Sequence, residues 1–159
     1  EDSELGVRMG LAGYKVTKLD HPMATHDANM VSFRQWWRRA VRSGHAIGQR
    51  AHLNGKSAFK DGMRDRNSTL FWGIFLPALI LLTSVPSHGV GLIGLGAYAV
   101  LALRIWRGRR RAGYATADAW RYTKFMIFAK FYRAVGLLKF FLNRIARRYQ
   151  IISYKEPSA

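Results

Sequence analysis

The sequence contains no cysteine among its 159 residues. This absence excludes a fold held together by disulfide bonds. It equally excludes a metal site built on thiolate ligands. Neither a disulfide scaffold nor a cysteine-based zinc centre is therefore expected.

Acidic residues are also scarce, with 9 Asp and Glu against 26 Lys and Arg, so the formal net charge is +17. A charge this high needs an anionic partner, which is nucleic acid, a phosphorylated substrate or anionic lipid. Apolar residues make up 49% of the chain and aromatic residues 13%, which excludes a disordered basic tail. The placement of the cations along the chain therefore decides which anion is expected.

Charged residues are missing altogether from position 67 to position 103. This region holds two apolar runs, "STLFWGIFLPALILLTSV" and "VGLIGLGAYAVLALRIW", separated by "PSHG". Each run is near the lower length limit for crossing a hydrocarbon core of about 30 Å, and the separator has the composition of a tight turn. We predict a transmembrane helical hairpin over 67–106, in which Pro77 is tolerated at the cost of a kink. The alternative is a helical hairpin buried in a soluble core.

Basic residues on both flanks favour the membrane hairpin over a soluble core. The flanking cations are Arg50, Lys56, Lys60, Arg64 and Arg66 before it, and Arg104, Arg107, Arg109, Arg110 and Arg111 after it. Because the turn at 86–89 has no Lys or Arg, both ends of the hairpin are predicted to be cytoplasmic and the turn to face outward. Anionic headgroups satisfy this charge pattern directly, so we expect a membrane with anionic lipids and no nucleic acid as partner.

The segment before the hairpin is predicted to be mainly helical. Apolar spacing predicts helices over 1–13 and 32–50, the second capped by Ser32. A short strand is predicted over 14–19 and a polar loop over 51–67.

The segment 107–159 combines a basic loop, one long helical pattern and a tail. The helical pattern covers 116–148, with Thr116 as its candidate cap. A Lys or Arg interrupts its aromatic and aliphatic residues every few positions, so no stretch is long enough to span a membrane. We predict an amphipathic helix at the membrane surface, with packing on a preceding domain as the alternative.

Two groups of residues near the start of the chain are candidates for chemistry. Glu1 and Asp2 form an acid pair at the start of a helix, which by itself is typical of residues that favour the positive end of the helix dipole. His26 stands next to Asp27, and such a pair is more often structural than a metal ligand.

A third candidate group lies at the start of the second helix, where Trp36 and Trp37 are followed by Arg38 and Arg39. One interpretation is an interfacial helix, with tryptophan at the headgroup level and arginine on lipid phosphate. The other is a binding site, with an aromatic platform for a sugar and cations for a diphosphate.

The order of these segments resembles the C-terminal half of membrane-associated family 2 glycosyltransferases. "EDSELGVRMGLAGYKV" is similar to the segment in which an acid pair precedes a helix ending in Gly-Tyr-x-Val. "SFRQWWRRAVRSGHAIG" is similar to the helix that carries a Gln-x-x-Arg-Trp motif in processive members, and "IISYK" is similar to the Tyr-Lys ending of many members. The resemblance implies that 1–66 is the C-terminal part of a GT-A catalytic domain, an α/β fold whose other half would precede Glu1. The chain as it stands is then expected to be mainly α.

The resemblance also implies a role for each matching residue. Asp2 would be the general base that deprotonates the acceptor hydroxyl as it attacks the anomeric carbon of a nucleotide-sugar with inversion, and Glu1 would lie beside it. Gln35 and Arg38 match the Gln-x-x-Arg spacing and would face the acceptor or the diphosphate. His26 would lie near the diphosphate or its metal ion.

The second motif departs from the family pattern in one respect. The residue after Arg38 is Arg39 rather than tryptophan, and Trp36 and Trp37 precede the arginine instead. Processive synthesis and single addition therefore both stay open. Trp36, Trp37 and Arg39 are kept as candidate acceptor-binding or diphosphate-binding residues.

The resemblance implies Mg²⁺ or Mn²⁺ as cofactor, but the Asp-x-Asp motif that holds the ion in this fold is missing from the sequence. We therefore expect the main metal ligands to lie outside this chain, and the chain alone to be inactive. The expected parent enzyme acts at the cytoplasmic face of the bacterial inner membrane. Its donor would be a nucleotide-diphospho-sugar and its acceptor a lipid-linked or cell-surface glycan. A non-catalytic membrane scaffold and a peripheral protein that binds anionic lipid are the two other interpretations.

Overall fold

The computed structural model describes residues 2–15, 17 and 31–148, and for 2–4 the backbone alone. Every regular element within these residues is helical and no strand is present among them. The predicted mainly α character is therefore confirmed for the part of the chain that is described.

The first helix, α1, covers Asp2–Leu11, close to the predicted span 1–13. Gly13 ends it with a φ of 86°, a left-handed conformation that a residue without Cβ adopts at low cost. The amide of Tyr14 donates to the carbonyl of Met9 at 3.0 Å, which closes the helix end.

The strand predicted over 14–19 is absent from the three of its residues that are described. Tyr14, Lys15 and Thr17 have no regular secondary structure, and the rest of the segment lies outside the described residues. A strand needs a neighbouring strand to pair its backbone groups, and the described part of the chain supplies none.

The second helix, α2, covers Phe33–Asn54 and begins with a capping box. The amide of Gln35 donates to Oγ of Ser32 at 3.3 Å, and the amide of Ser32 donates to Oε1 of Gln35 at 3.2 Å. These reciprocal bonds satisfy amides that have no partner within the helix. The predicted cap at Ser32 is therefore confirmed.

The prediction of a polar loop over 51–67 is wrong at both ends. Helix α2 continues to Asn54, because Ala51 is buried on the same face as the preceding apolar residues. The next helix begins already at Met63.

The short connection between these two helices is closed by an ion pair. The guanidinium of Arg50 donates from Nε to the carboxylate of Asp61 at 2.9 Å and makes a second bond through Nη2. This guanidinium holds the pKa of Asp61 below its usual range, mainly through the hydrogen bond. Such two-pronged pairing is geometrically specific, and it folds the connection back onto the end of α2.

Two long helices form the predicted hairpin. The first hairpin helix, Met63–Ser84, consists of α3 (Met63–Leu70), a π-helical turn (Phe71–Phe75) and α4 (Leu76–Ser84). The second hairpin helix, Val90–Arg111, consists of a short 3₁₀ segment (Val90–Gly94) and α5 (Leu95–Arg111). Both are long and apolar enough to cross a membrane.

The apolar side chains of the hairpin lie largely on its outside. In the most apolar stretch of the first hairpin helix, only 17% of the residues are buried. In the corresponding stretch of the second hairpin helix, none is buried. The core helix of a soluble protein is mostly buried, whereas a membrane helix exposes apolar residues to lipid. The exposure pattern therefore indicates membrane association and goes against a hairpin enclosed in a soluble core.

A π-helical turn, Phe71–Phe75, comes just before Pro77, the residue at which a kink is predicted. Pro77 is near the start of α4, where its missing amide removes one helical hydrogen bond. The hydroxyl of Tyr98 donates to the carbonyl of Trp72 within this turn and joins the two hairpin helices. A backbone carbonyl in the irregular turn thus finds a partner on the neighbouring helix.

The last helix, α6, covers Thr116–Ile145 and continues without a break through Gly136. The prediction of Thr116 as its cap is wrong, because Ala115 occupies that position and Thr116 is the first helical residue. The backbone of Ala115 is extended, and its carbonyl accepts the first helical bond from Ala119 at 2.9 Å. Among the described residues, no side chain caps this end.

Helices α2 and α6 run in parallel and touch through their backbones. A Cβ added at Gly44 would lie 2.0 Å from the carbonyl oxygen of Arg133, and one at Gly136 would lie 1.9 Å from that of Val41. One turn further along, a Cβ at Gly48 would lie 2.5 Å from the Phe140 ring. Small residues spaced four apart let two helices approach this closely.

Helix α6 also rests on the end of the hairpin that carries the basic flanks. Lys130 donates from Nζ to the hydroxyl of Ser68 at 2.9 Å, and Trp120 stacks on Trp106 at 5.6 Å. The opposite side of α6 leaves large apolar side chains exposed, among them Phe128 and Leu142. Helix α6 thus packs on α2 and on the hairpin along one side and leaves an apolar surface exposed along the other. Its predicted location at the membrane surface stays a prediction.

Candidate functional site

Aromatic side chains fasten the start of α2 to α6. Trp36 lies 5.0 Å from Phe125 and 5.4 Å from Tyr132, measured between ring centroids. Trp37 lies 4.2 Å from Tyr132, and Phe33 contacts both tryptophans at about 6 Å. Aromatic pairs at such distances contribute about 0.5–1.5 kcal/mol each beyond the area they bury. Both predicted tryptophans therefore help to hold the two helices together.

The exposed side of α2 carries polar residues that the sequence marked as candidates. Gln35 and Arg38 are three residues apart and thus share one side of the helix, with Arg42 one turn further on. All three side chains are exposed, and we call them the basic face of α2. The side-chain oxygen of Gln35 also accepts a hydrogen bond from the amide of Val31 at 3.0 Å. The cap thus fixes the Gln35 side chain through its oxygen, and the side-chain nitrogen Nε2 takes no part in the cap.

A groove of about 720 Å³ separates the first half of α2 from α6. Its walls are mostly apolar, and two arginines also line it, one from each helix. The residues that define this α2–α6 groove are Phe33, Trp36, Phe125, Met126, Arg39 and Arg133. No Asp or Glu lines it among the described residues.

The five predicted binding residues of α2 are thus divided between two places. Trp36 and Arg39 line the groove, whereas Gln35 and Arg38 belong to the basic face. Trp37 packs on α6 and stays 42% exposed.

Sequence reasoning missed the residues that α6 contributes to the groove. Tyr122 also lines it and connects it to the hairpin, because Arg109 donates from Nη2 to its hydroxyl at 2.5 Å. The guanidinium of Arg109 lies 3.8 Å above the centre of the same ring, close enough for a cation–π attraction. The sequence does show that 116–148 mixes cations with aromatic residues, which is typical of a binding surface. It does not show which of these residues would contact α2.

Two cations of α6, Lys130 and Arg133, are partly desolvated. Burial lowers the pKa of Lys130, and the nearby charge of Arg133 lowers it further. Nε of Arg133 is buried and has no hydrogen-bond partner among the described residues. Cations held in this way attract an anion more strongly than cations in open water.

The other predicted site residues lie outside what the structure describes. Glu1 and His26 are not described, and of Asp2 only the backbone is. Within the described ranges, no group of three or more His, Asp or Glu lies close enough to hold a metal ion. The roles of these residues, and the predicted Mg²⁺ or Mn²⁺, remain predictions.

Comparisons with known proteins leave the family of the chain open. No protein-family model matches the sequence, and neither the curated proteins nor the solved structures gave a match. The glycosyltransferase resemblance therefore rests on the sequence motifs, chiefly those that begin at Glu1 and Ser32.

Proposed function

We propose that the chain is the membrane-anchoring, acceptor-side part of an inverting glycosyltransferase of the family 2 type. The enzyme would transfer a sugar from a nucleotide-diphospho-sugar to a lipid-linked or cell-surface glycan at the cytoplasmic face of a bacterial inner membrane. The observation that supports this most is the basic face of α2. There Gln35 and Arg38, in the spacing of the family motif, lie exposed on a helix fixed at the base of an apolar hairpin.

The basic face suits an anionic or hydroxyl-rich ligand because it is held in place before the ligand arrives. The capping box fixes Gln35, and the glycine contacts of Gly44 and Gly136 fix α2 on α6. Donors that need no rearrangement bind developing charge more effectively than mobile ones. Arg38 can bind a diphosphate or a sugar hydroxyl through more than one N–H donor.

The hairpin would place this face at the membrane surface. With the basic flanks cytoplasmic and 86–89 on the far side, 1–66 and 107–159 lie together on the side where nucleotide-sugars are available. Lipid-linked acceptors present their polar groups at the same level. In this proposal 1–66 belongs to a GT-A catalytic domain that is completed by sequence outside this chain.

The chemical step assigned to this chain is proton removal from the acceptor. An alcohol is a poor nucleophile at neutral pH, and a carboxylate placed at Asp2 would take the hydroxyl proton as the new bond forms. Glu1 would help to position the acceptor. Because the Asp-x-Asp motif is missing from the sequence, this proposal assigns the main ligands of the expected Mg²⁺ or Mn²⁺ to another part of the enzyme, and no step is derived through the ion.

Replacing Arg38 by glutamine tests the assignment of the basic face. We expect kcat/KM for sugar transfer by membranes that contain the intact protein to fall about tenfold to a hundredfold, because a charge-assisted hydrogen bond is lost. The matched control is Arg144→Gln, which removes one exposed charge from the last turn of α6. If Arg38→Gln and Arg144→Gln had the same kcat/KM, the basic face would not belong to the acceptor or diphosphate site.

A further inference from the structure

We propose that the α2–α6 groove binds an anionic phospholipid of the surrounding bilayer. The phosphate would lie between Arg39 and Arg133, and one acyl chain would run along Phe33, Trp36 and Phe125. This inference goes beyond the transferase proposal. It requires only that the hairpin be inserted in a membrane.

The groove lies at the level of lipid headgroups if the hairpin spans the bilayer. Tyr122, in its wall, is bonded to Arg109, which comes six residues after Leu103, the last residue of the uncharged region. Six helical residues rise about 9 Å along the helix axis. This is slightly more than the polar layer of about 5–8 Å on each side of the hydrocarbon core, so the groove lies at the outer edge of the headgroups. Phosphates of the bilayer are therefore available at this height.

The charges of the groove fit a phosphate. Arg39 and Arg133 are both cationic, and no acidic side chain lines the groove among the described residues. Lys130 lies one turn before Arg133, and the charges of Arg133 and of the Asp65 carboxylate both act on it. A phosphate beside Arg133 would offset the repulsion between Arg133 and Lys130. It would also accept a hydrogen bond from Nε of Arg133, which has no protein partner in the described ranges.

The apolar walls favour a lipid over a phosphate that is free in solution. A volume of about 720 Å³ falls within the range of about 300–1,000 Å³ that is typical of small-ligand sites. Phe33 and Phe125 at its edge are 54% and 47% exposed. An inorganic phosphate would leave these walls in contact with water, whereas an acyl chain would cover them.

Lipid retention measured with charge-matched variants tests the proposal. The protein is reconstituted in nanodiscs of phosphatidylcholine with a minor fraction of phosphatidylglycerol, extracted in mild detergent, and analysed by native mass spectrometry for bound lipid. The double variant Arg39→Gln/Arg133→Gln is compared with Arg34→Gln/Arg144→Gln, which removes the same charge from the exposed side of the same two helices. We expect the first to lower bound phosphatidylglycerol about tenfold or more and the second to leave it nearly unchanged. Equal losses in both variants would mean that general basic attraction holds the lipid, and would overturn the proposal.

A variant that fills the groove tests it without changing charge. Ser43 lines the groove, and Ser43→Phe should exclude the acyl chain and lower bound phosphatidylglycerol to the level of the arginine double variant. Retention at the wild-type level by Ser43→Phe would overturn the assignment. In a parallel arm, inorganic phosphate at millimolar concentration should fail to displace the lipid, and displacement would mean that the site recognises phosphate alone.

Discussion

Replacing Gly136 by alanine is expected to destabilise the protein by about 3 kcal/mol, although only one methyl group is added. A Cβ at this position would lie 1.9 Å from the carbonyl oxygen of Val41, far inside van der Waals contact. Both atoms belong to backbones of packed helices, so neither can move aside without separating α2 from α6. This destabilisation is a net value, because the higher helix propensity of alanine would by itself stabilise the protein by up to about 1 kcal/mol. Thermal or denaturant unfolding in detergent micelles, followed by circular dichroism, measures it.

The matched control for this prediction is Gly108→Ala in the second hairpin helix. Apart from its own stretch of helix, a Cβ at Gly108 would meet no atom of the described residues within 4 Å, so the same substitution should leave stability unchanged or raise it slightly. If Gly136→Ala proved as stable as Gly108→Ala, the close contact between α2 and α6 would be wrong. The groove between them, and the lipid site proposed there, would then lose its basis.

Replacing Asp2 by asparagine is expected to lower the rate of sugar transfer by about 10²–10⁴-fold. The amide has nearly the shape of the carboxylate but cannot take up the acceptor proton. The experiment uses the intact protein in membranes, supplied with a panel of nucleotide-diphospho-sugars and extracted lipid acceptors. The fall should appear in kcat more than in KM, because the base acts in the transition state.

Asp118→Asn is the control that separates catalysis from a helix-end effect. Asp118 is an exposed acid in the first turn of α6, and Asp2 is the first residue of α1. If Asp2 only stabilised the positive end of a helix, both substitutions would cost about 0.3–1 kcal/mol of stability and transfer would persist in both. That outcome would favour the interpretation as a non-catalytic membrane scaffold.

Features that depend on neighbouring residues could be predicted from the sequence. The cap of α2 follows from Ser32 and Gln35, which satisfy each other's backbone amides within one turn. The hairpin follows from the uncharged region, because no arrangement in water would bury so many apolar residues in two helices with so little else around them. The left-handed end of α1 follows from Gly13.

Features that depend on distant residues could not be predicted. Gly44 and Gly136 touch the opposite helix although they are 92 positions apart, and neither position reveals its partner by its type. The α2–α6 groove follows from this pairing, which is why Arg133 and Tyr122 were missed while Trp36 and Arg39 were found. The loop over 51–67 was predicted too long for a related reason, since its polar composition concealed the pairing of Arg50 with Asp61.

Labelling of single cysteines tests the membrane hairpin most directly, and the absence of native cysteine leaves no background. Ser87→Cys reports on the turn between the hairpin helices, and Ala112→Cys reports on the residue that follows the second of them. With a membrane-impermeant maleimide and vesicles of known orientation, Ser87→Cys should react from the outer side only and Ala112→Cys from the cytoplasmic side only. Reaction of both cysteines from the same side would contradict a spanning hairpin, and would leave a protein that lies on the membrane without crossing it.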